Sequence, residues 1–445
     1  MRSGKRWITA GLCCLTLLIG SPPPILADDN GKSFAQDLSA AKRAGIPTTP
    51  KELQAPLPPP NQNAAPLYTK LTKILEAKPL SKDDKIIEYS GQRGVLSPEQ
   101  FERLRRALKS RSDVVSLVHQ AVARPQCIFV RDWTTPQWTP TFEHIEMRFA
   151  ARLIAAESRL MTYDNKILEA IRNQALGFQV ARHISAESQQ VGCMEANSLD
   201  SIALSGFQRM LCLSGGDAKV AEAVQATVQR DYQPHSLRNA LKLMAGCDIV
   251  MLDFFHKKGS RKGKEEYRHT FMPDNKQPSL EDWSAFIYAN SRVLLRCAYS
   301  LIAAADLPYW QSAPVFQLAH TKLEKDSNPK LMFAQTSNLS TFHDDQLRTR
   351  MKATAEVTRA GAFLLAWKAK HGAFPEKLDG ASMPKFVDPF DGKPLRYRRE
   401  GAGFVVYSVG ATGKFTGGPP DQKAGNETRF RYPAPPEFTA PLKEE

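Results

Sequence analysis

The sequence predicts a mostly α-helical fold: an irregular array or bundle of helical hairpins over residues 66–336, then a small α+β module over residues 337–432, a long helix plus a short antiparallel sheet. Three observations carry this. Apolar residues recur at steps of three and four along most of the chain, the period of one buried helix face. Turn residues such as Tyr163-Asp164-Asn165 and Ser214-Gly215-Gly216-Asp217 interrupt that period. Near the end the period shortens to two in Leu395–Arg399 and Phe404–Val409, where side chains alternate between the faces of a sheet.

A chain of 445 residues suffices for two or three domains, and 42% apolar with 24% charged residues is ordinary for a globular protein. Arg2, Lys5 and Arg6 open the chain without an acid, ahead of the apolar run Trp7–Gly20, Pro22–Pro24 and the small residue Ala27. That is the layout of a secretory signal over residues 1–27, cut after Ala27. The run is shorter than the roughly 20 residues that span a bilayer, so membrane contact is expected only transiently, through the signal. Loss of those three cations lowers the net charge from +14 to +11, a surplus that favours anionic partners such as lipid or wall polymer. Export, to the periplasm or cell envelope, argues against nucleic acid. Cys13 and Cys14 leave with the signal, and the remaining Cys127, Cys193, Cys212, Cys247 and Cys297 are odd in number, so at least one thiol is free or intermolecular. No Cys-x-x-Cys spacing supports zinc or thioredoxin chemistry, and no cofactor is expected. If Cys193 and Cys212 lie on one continuous helix, its ~1.5 Å rise per residue holds them about 30 Å apart, too far to bridge.

Residues 28–65 are rich in Pro, Ala, Gln and Lys and end in LPPPNQNAAP. With few large apolar residues they read as a Pro-rich linker, a tether for the folded body. Ser97-Pro98-Glu99-Gln100 then places a cap and a first-turn proline before FERLRRALKS, a helix start. Ile145, Phe149, Leu153, Ala156 and Leu160 form one buried face, and Ile167, Ile171, Ala175 and Phe178 restart it after the turn, giving a helical hairpin. A second hairpin runs from Glu195 to Val228, and a third pairs Leu237–Phe255 with Leu280–Ala305 across the polar insert KKGSRKGKEEYRHTFMPDNKQP. These units resemble tetratricopeptide pairs without their fixed period, so array and bundle both stay open. Arg296 interrupts the apolar run Val293–Leu307, which marks a core helix and not a membrane span.

In the C-terminal module Thr341 and Asp344 make a capping box, and Met351, Ala355, Thr358, Ala362 and Leu365 follow at helical spacing. Lys368, Lys370 and His371 suit a helix C-terminus, and Gly372 suits a left-handed exit. Gly361 inside this helix costs about 1 kcal/mol relative to Ala, which implies another backbone packed closely against it. Asp388-Pro389-Phe390-Asp391-Gly392 supplies a turn into two strands around Glu400–Gly403, with Leu395 and Tyr397 on one face and Arg396 and Arg398 on the other. Thr428–Tyr432 adds a third strand, and residues 433–445 read as a disordered tail.

The order AEVTRAGAFLLAWKAKHGAFPEKL, then VDPFDGKPLRYRREGAGFVVYSVGATGKFTGG, resembles the globular part of the major pseudopilin of bacterial type II secretion systems. That family also closes with an Asp-Pro turn, a Tyr-rich hairpin and a Gly-rich loop. The resemblance implies an envelope location and raises calcium, whose ligands the family draws from that loop and nearby acids. Here Thr412 and Thr416 stand where acids are expected and Lys414 adds positive charge, which leaves Asp421 as a weak calcium candidate and no metal expected. The long apolar N-terminal helix half and processing site of a true pseudopilin are missing from the module. Residues 97–418 also resemble a group of exported bacterial proteins that pair Cys-x-Phe and Asp-aromatic segments, here Cys127, Phe129, Asp132 and Trp133, with His144, the RFAARLIAAESRL helix, helical hairpins and a pseudopilin-like tail. That group brings no assigned activity.

Arg131, Asp132, Trp133, Trp138, Glu143 and His144 form the candidate binding cluster. Two tryptophans in a proline-punctuated loop suit stacking on a sugar ring or holding a peptide, and Glu143 or His144 suits proton transfer. The plainer reading is that the tryptophans cover the end of the helical domain. His183 with Glu187, and His343 with Asp344 and Asp345, read as solvated helix surface. Gly410-Ala411-Thr412-Gly413-Lys414 fails as a phosphate loop, with Ser408 in place of the first glycine and Phe415 in place of Ser or Thr. The basic insert Lys257–Lys264 reads as a solvated loop able to touch an anionic surface. The expected function is an exported, non-enzymatic binding or assembly protein of the cell envelope, with a protein or an anionic envelope polymer as partner. The alternative is an envelope enzyme acting on a glycan or peptide through Trp133, Trp138 and His144.

Overall fold

A computed structural model describes residues 34–92, 94–134, 143–186, 190–258, 265, 283–325, 341–379, 383–418, 428–433 and 436–442. These are mostly helical, with a three-stranded antiparallel sheet near the C-terminus. The segment read as a signal and most of the polar insert lie outside them.

The segment expected to be a tether is folded from residue 34 onward. It carries helices α1 (Phe34–Arg43) and α2 (Pro50–Leu53), the latter started by Thr49, whose hydroxyl accepts from Glu52 N ahead of the first-turn proline. Ala41 and Ile46 are buried against Leu237, Leu241 and Leu295, and Leu53 against Val250. The segment needs no core of its own, because these few anchors complete a core built by helices far along the chain.

Helices α3 (Ala65–Ala77), α4 (Lys85–Tyr89) and α5 (Pro98–Ser110) pack with α7 (Glu143–Tyr163), and α6 (Ser112–Val122) packs with α3. The Ser97 cap of α5 is present as read, with Gln100 N donating to the Ser97 hydroxyl and Ser97 N donating to Gln100 Oε1. Helix α7 turns through Asn165, at φ 59°, into α8 (Ile167–Ser185). Helix α9 (Gln190–Leu213) turns through Gly215 and Gly216 into α10 (Ala218–Asp231), and α11 (Leu237–Lys257) pairs with α12 (Trp283–Ala304) before α13 (Tyr309–Lys325). No described helix is long and apolar enough to cross a membrane. Cys193 and Cys212 both lie on α9, and all five described cysteines are free thiols.

Helix α14 (Thr341–His371) exits at Gly372, whose φ of +79° is the left-handed conformation read from the sequence. The expected Thr341 cap lies outside the described side chains. Strands β1 (Arg396–Glu400), β2 (Gly403–Tyr407) and β3 (Arg429–Tyr432) pair in that order, with Tyr397 opposite Val406 and Val406 opposite Phe430. Phe404, Val406 and Phe430 face α14 and join Val357, Leu364, Phe178, Phe207 and Leu211 in one core. The helical region and the α+β module therefore share their apolar interior, and Gln208 Nε2 donates to Thr358 Oγ1 across the same junction at 3.0 Å. At Gly361 the close neighbour is the Phe430 ring and not a backbone: an added Cβ would sit 2.3 Å from Phe430 Cδ1. Asp388, fully buried, accepts from Ser408 Oγ, Val409 N and Phe390 N and so ties the turn to the end of β2.

The opposite face of the sheet carries buried Arg429 and Arg431, which donate to the Gly417 carbonyl, with Arg431 donating also to Gly418. The Gly-rich loop thus turns its carbonyls to guanidinium groups, where the pseudopilin resemblance raised calcium. Asp421 lies outside the described residues, and among those described no group of His, Cys, Asp or Glu is arranged to hold a metal ion. The tail read as disordered contains a short helix, α15 (Pro436–Thr439), and returns to the N-terminal part of the body. Val95 N donates to Ala440 O and Leu442 N to Val95 O, each at 2.9 Å, and Leu442 enters the core beside Leu104. The tail's two large apolar residues, Phe438 and Leu442, are both buried there, which is what holds it down.

Candidate functional site

Of the cluster read from the sequence, Arg131, Asp132, Trp133, Glu143 and His144 are described and Trp138 is not. Arg131 Nη1 pairs with Glu143 at 3.0 Å, and its guanidinium stacks 4.5 Å over the Phe129 ring. The Trp133 ring is buried against Leu53 and Val250, and its Nε1–H donates to Gln54 Oε1 at 3.2 Å. Gln54, from the supposed linker, also accepts from Arg131 N and donates to the Phe129 carbonyl. Asp132 accepts from Thr134 N and Oγ1, which holds its carboxyl below the usual range. His144 is buried facing the start of α9, near Gly192. These residues make a packed joint: the Trp133 ring and its donor are spent inside the protein.

The reading of His183 as solvated surface is overturned. It is 1% exposed, with Nδ1 3.0 Å from the Tyr68 hydroxyl and Nε2 2.9 Å from the Arg124 carbonyl. Nε2 therefore carries the proton, Nδ1 accepts, and burial lowers the ring to about 4. Glu187 lies outside the described residues. Asp344 and Asp345 are buried as well, with Asp345 bonded to Arg348 and to the Ser312 hydroxyl, while His343 is exposed.

A different pair of side chains faces a cavity. Arg159 of α7 and Arg209 of α9 are 3% and 5% exposed and line a space of about 460 Å³, edged by Gly94–Leu96 and the two turns Asn165 and Ser214–Asp217. Arg159 donates to the carbonyls of Gln92 and Gly94, yet its Nε has no partner among the described residues, and neither does Arg209 Nη2. No described carboxylate offsets either charge. Burial, with the Arg209 charge added, pushes Arg159 well below its usual value, and burial lowers Arg209 to about 10.

Of the nearby acids, Asp217 also lines the cavity with its Oδ1 engaged, and Asp164 is paired with Arg105. Asp164 accepts two hydrogen bonds from Arg105, at 2.7 and 3.0 Å, and Asp217 caps α10 by accepting from Lys219 N and Val220 N. Two other buried arginines are neutralised: Arg111 meets Asp84 at 2.7 Å, and Arg348 meets Asp345 at 3.0 Å. An uncompensated buried guanidinium carries a desolvation cost of several kcal/mol, which an anion beside the two arginines would recover in part. A second cleft, about 420 Å³, lies along α14, where burial first and Arg348 second lower Lys352 to about 8. There Glu356 pairs with Arg359 and the charges are partly solvated, so no anion is demanded.

Sequence reasoning passed over both arginines. The available signal was their place in apolar stripes: Arg209 falls at helical spacing among Ile202, Gly206 and Leu213, and Arg159 follows Ala155 and Ala156 by one turn. Compared with family models, curated proteins and solved structures, the chain matches none of them.

Proposed function

We propose that this chain is an exported, non-enzymatic binding protein of the bacterial cell envelope that holds a small anionic ligand between its helical hairpins. The observation that carries this is the pair Arg159 and Arg209, both buried, both facing one cavity and neither offset by a described carboxylate. Export rests on the basic start, apolar run and Ala27 of the first 27 residues. The anionic character of the partner agrees with the basic excess of the whole chain. The likeness of Ala353–Gly418 to the major pseudopilin supports a common origin with a secretion component. In this chain the inner faces of that module cover the helical hairpins, so we assign it a structural part in the body and not a separate docking role.

Thermal unfolding with inorganic phosphate tests the reading. At a hundredfold excess over Kd, one bound anion adds about 2.7 kcal/mol of stability, visible as a higher Tm. Arg209→Met is expected to abolish that rise, while Arg209→Lys retains part of it. A Tm indifferent to phosphate, sulfate and carboxylates, or a rise equal in Arg209→Met, defeats the proposal.

A further inference from the structure

The walls of the same cavity name the kind of molecule that carries the charge. We infer that the ligand is an amphiphile, an apolar body ending in a single anionic head group, with the head against Arg159 and Arg209; this rests on the anion-binding reading above. At about 460 Å³ the space is of small-molecule size, within the roughly 300–1,000 Å³ of ligand pockets. Besides the guanidiniums it is lined by Leu96, Phe101, Tyr163, Ile167, Leu213 and Val220. Phe101 and Tyr163 stack with ring centres 4.0 Å apart and planes 16° from parallel, and Tyr163 stays 43% exposed, so an apolar surface faces outward beside the cavity.

The lining's polar side chains have engaged most of their donors and one carboxylate oxygen. The Thr162 hydroxyl donates to the Ser158 carbonyl, the Ser214 hydroxyl donates to the Leu211 carbonyl, and the Asp217 carboxylate caps α10. Besides the guanidiniums, the side-chain donors left in this lining among the described residues are the Asn165 amide and the Tyr163 hydroxyl, with Asp217 Oδ2 as an acceptor. A sugar or other polyhydroxy body would bury hydroxyls with few partners, at a cost for each one unsatisfied. An alkyl or aromatic body loses nothing there and gains from burial against the wall. The donors without a partner among the described residues, Arg159 Nε and Arg209 Nη2, suit the oxygens of a phosphate or carboxylate, so the head is defined by its charge and its oxygens.

Calorimetric titration of the purified protein with octyl phosphate below its micelle concentration, octanoate, glycerol phosphate, inorganic phosphate and octanol separates the possibilities. Octyl phosphate or octanoate is expected to bind at least about tenfold more tightly than glycerol phosphate or inorganic phosphate, in line with burial of several methylenes. Which of the two binds better assigns the head. Arg209→Met should weaken the better amphiphile by about tenfold or more, and Phe101→Ala should weaken it by a larger factor than it weakens inorganic phosphate. Arg209→Lys, which keeps the charge, guards against a loss caused by misfolding. Equal affinity for octyl phosphate and glycerol phosphate overturns the amphiphile and leaves the anion site standing. Octanol binding as well as octyl phosphate also overturns it. Failure of every anion removes both readings. Glu444 and Glu445 follow Leu442 in the chain, so a protein ending at Leu442 is titrated alongside; unchanged affinity supports a diffusible ligand, and a large gain shows that the chain's own acidic end is the occupant and overturns the inference.

Discussion

Arg111 and Arg209 are both buried arginines, and their surroundings assign them opposite parts. Arg111 donates to Asp84 and to the carbonyls of Lys78 and Pro79, so each of its groups has a partner. Arg209 holds a charge that nothing described offsets. In urea unfolding of the ligand-free protein, Arg111→Met should cost about 3–5 kcal/mol, because Asp84 is left buried and alone. Arg209→Met should instead raise stability by about 1–4 kcal/mol. A loss at both positions would mean that Arg209 is structural, and the anion site would lose its basis. At this scale little of the site was legible. An arginine in an apolar stripe is visible in the sequence, but whether a carboxylate meets it depends on a side chain from another helix. Trp133 shows the same limit, since its aromatic character was plain and its destination, against Leu53 and Val250, was not.

Helices, turns and strands were far more legible, because their causes are local. The Ser97 cap, the Asn165 and Gly215–Gly216 turns, the Gly372 exit and the alternation of Leu395 to Arg399 each act within a few residues. Gly361 is the instructive exception. Its cost in a helix was readable and pointed to a close neighbour, but the neighbour is the Phe430 ring of β3. Gly361→Ala gains about 1 kcal/mol of helix preference and must still push a ring that is 2% exposed. We expect a net loss of about 1–3 kcal/mol by thermal or urea unfolding, with part recovered in the double variant Gly361→Ala, Phe430→Leu. A gain in stability from Gly361→Ala alone would show that β3 yields easily to α14.

The whole molecule departs most from the segmental organisation that composition suggests. Linker, helical region, module and tail read as successive parts, yet the first completes the core of α11 and α12, the module covers Phe178 and Phe207, and the tail binds Val95. Such sharing predicts one cooperative unit. Residues 66–336 produced alone should therefore fail to give a monodisperse, cooperatively melting protein, since the faces of α9 and α10 lose the cover of α14 and the sheet. Size-exclusion chromatography with a circular-dichroism melt checks this, and a soluble monomer with a sharp transition would restore the two-domain view.

By itself the sequence determined the class of fold, the position of its turns and caps, and the two faces of the small sheet, because those follow from period, backbone conformation and hydrogen bonds between near neighbours. The tertiary structure alone decided that the N-terminal segment and the tail are folded, that the tryptophan joint is packing, and that two arginines share a cavity with neither paired to a described carboxylate. Those outcomes depend on which distant faces meet, and on whether a buried charge finds its partner there.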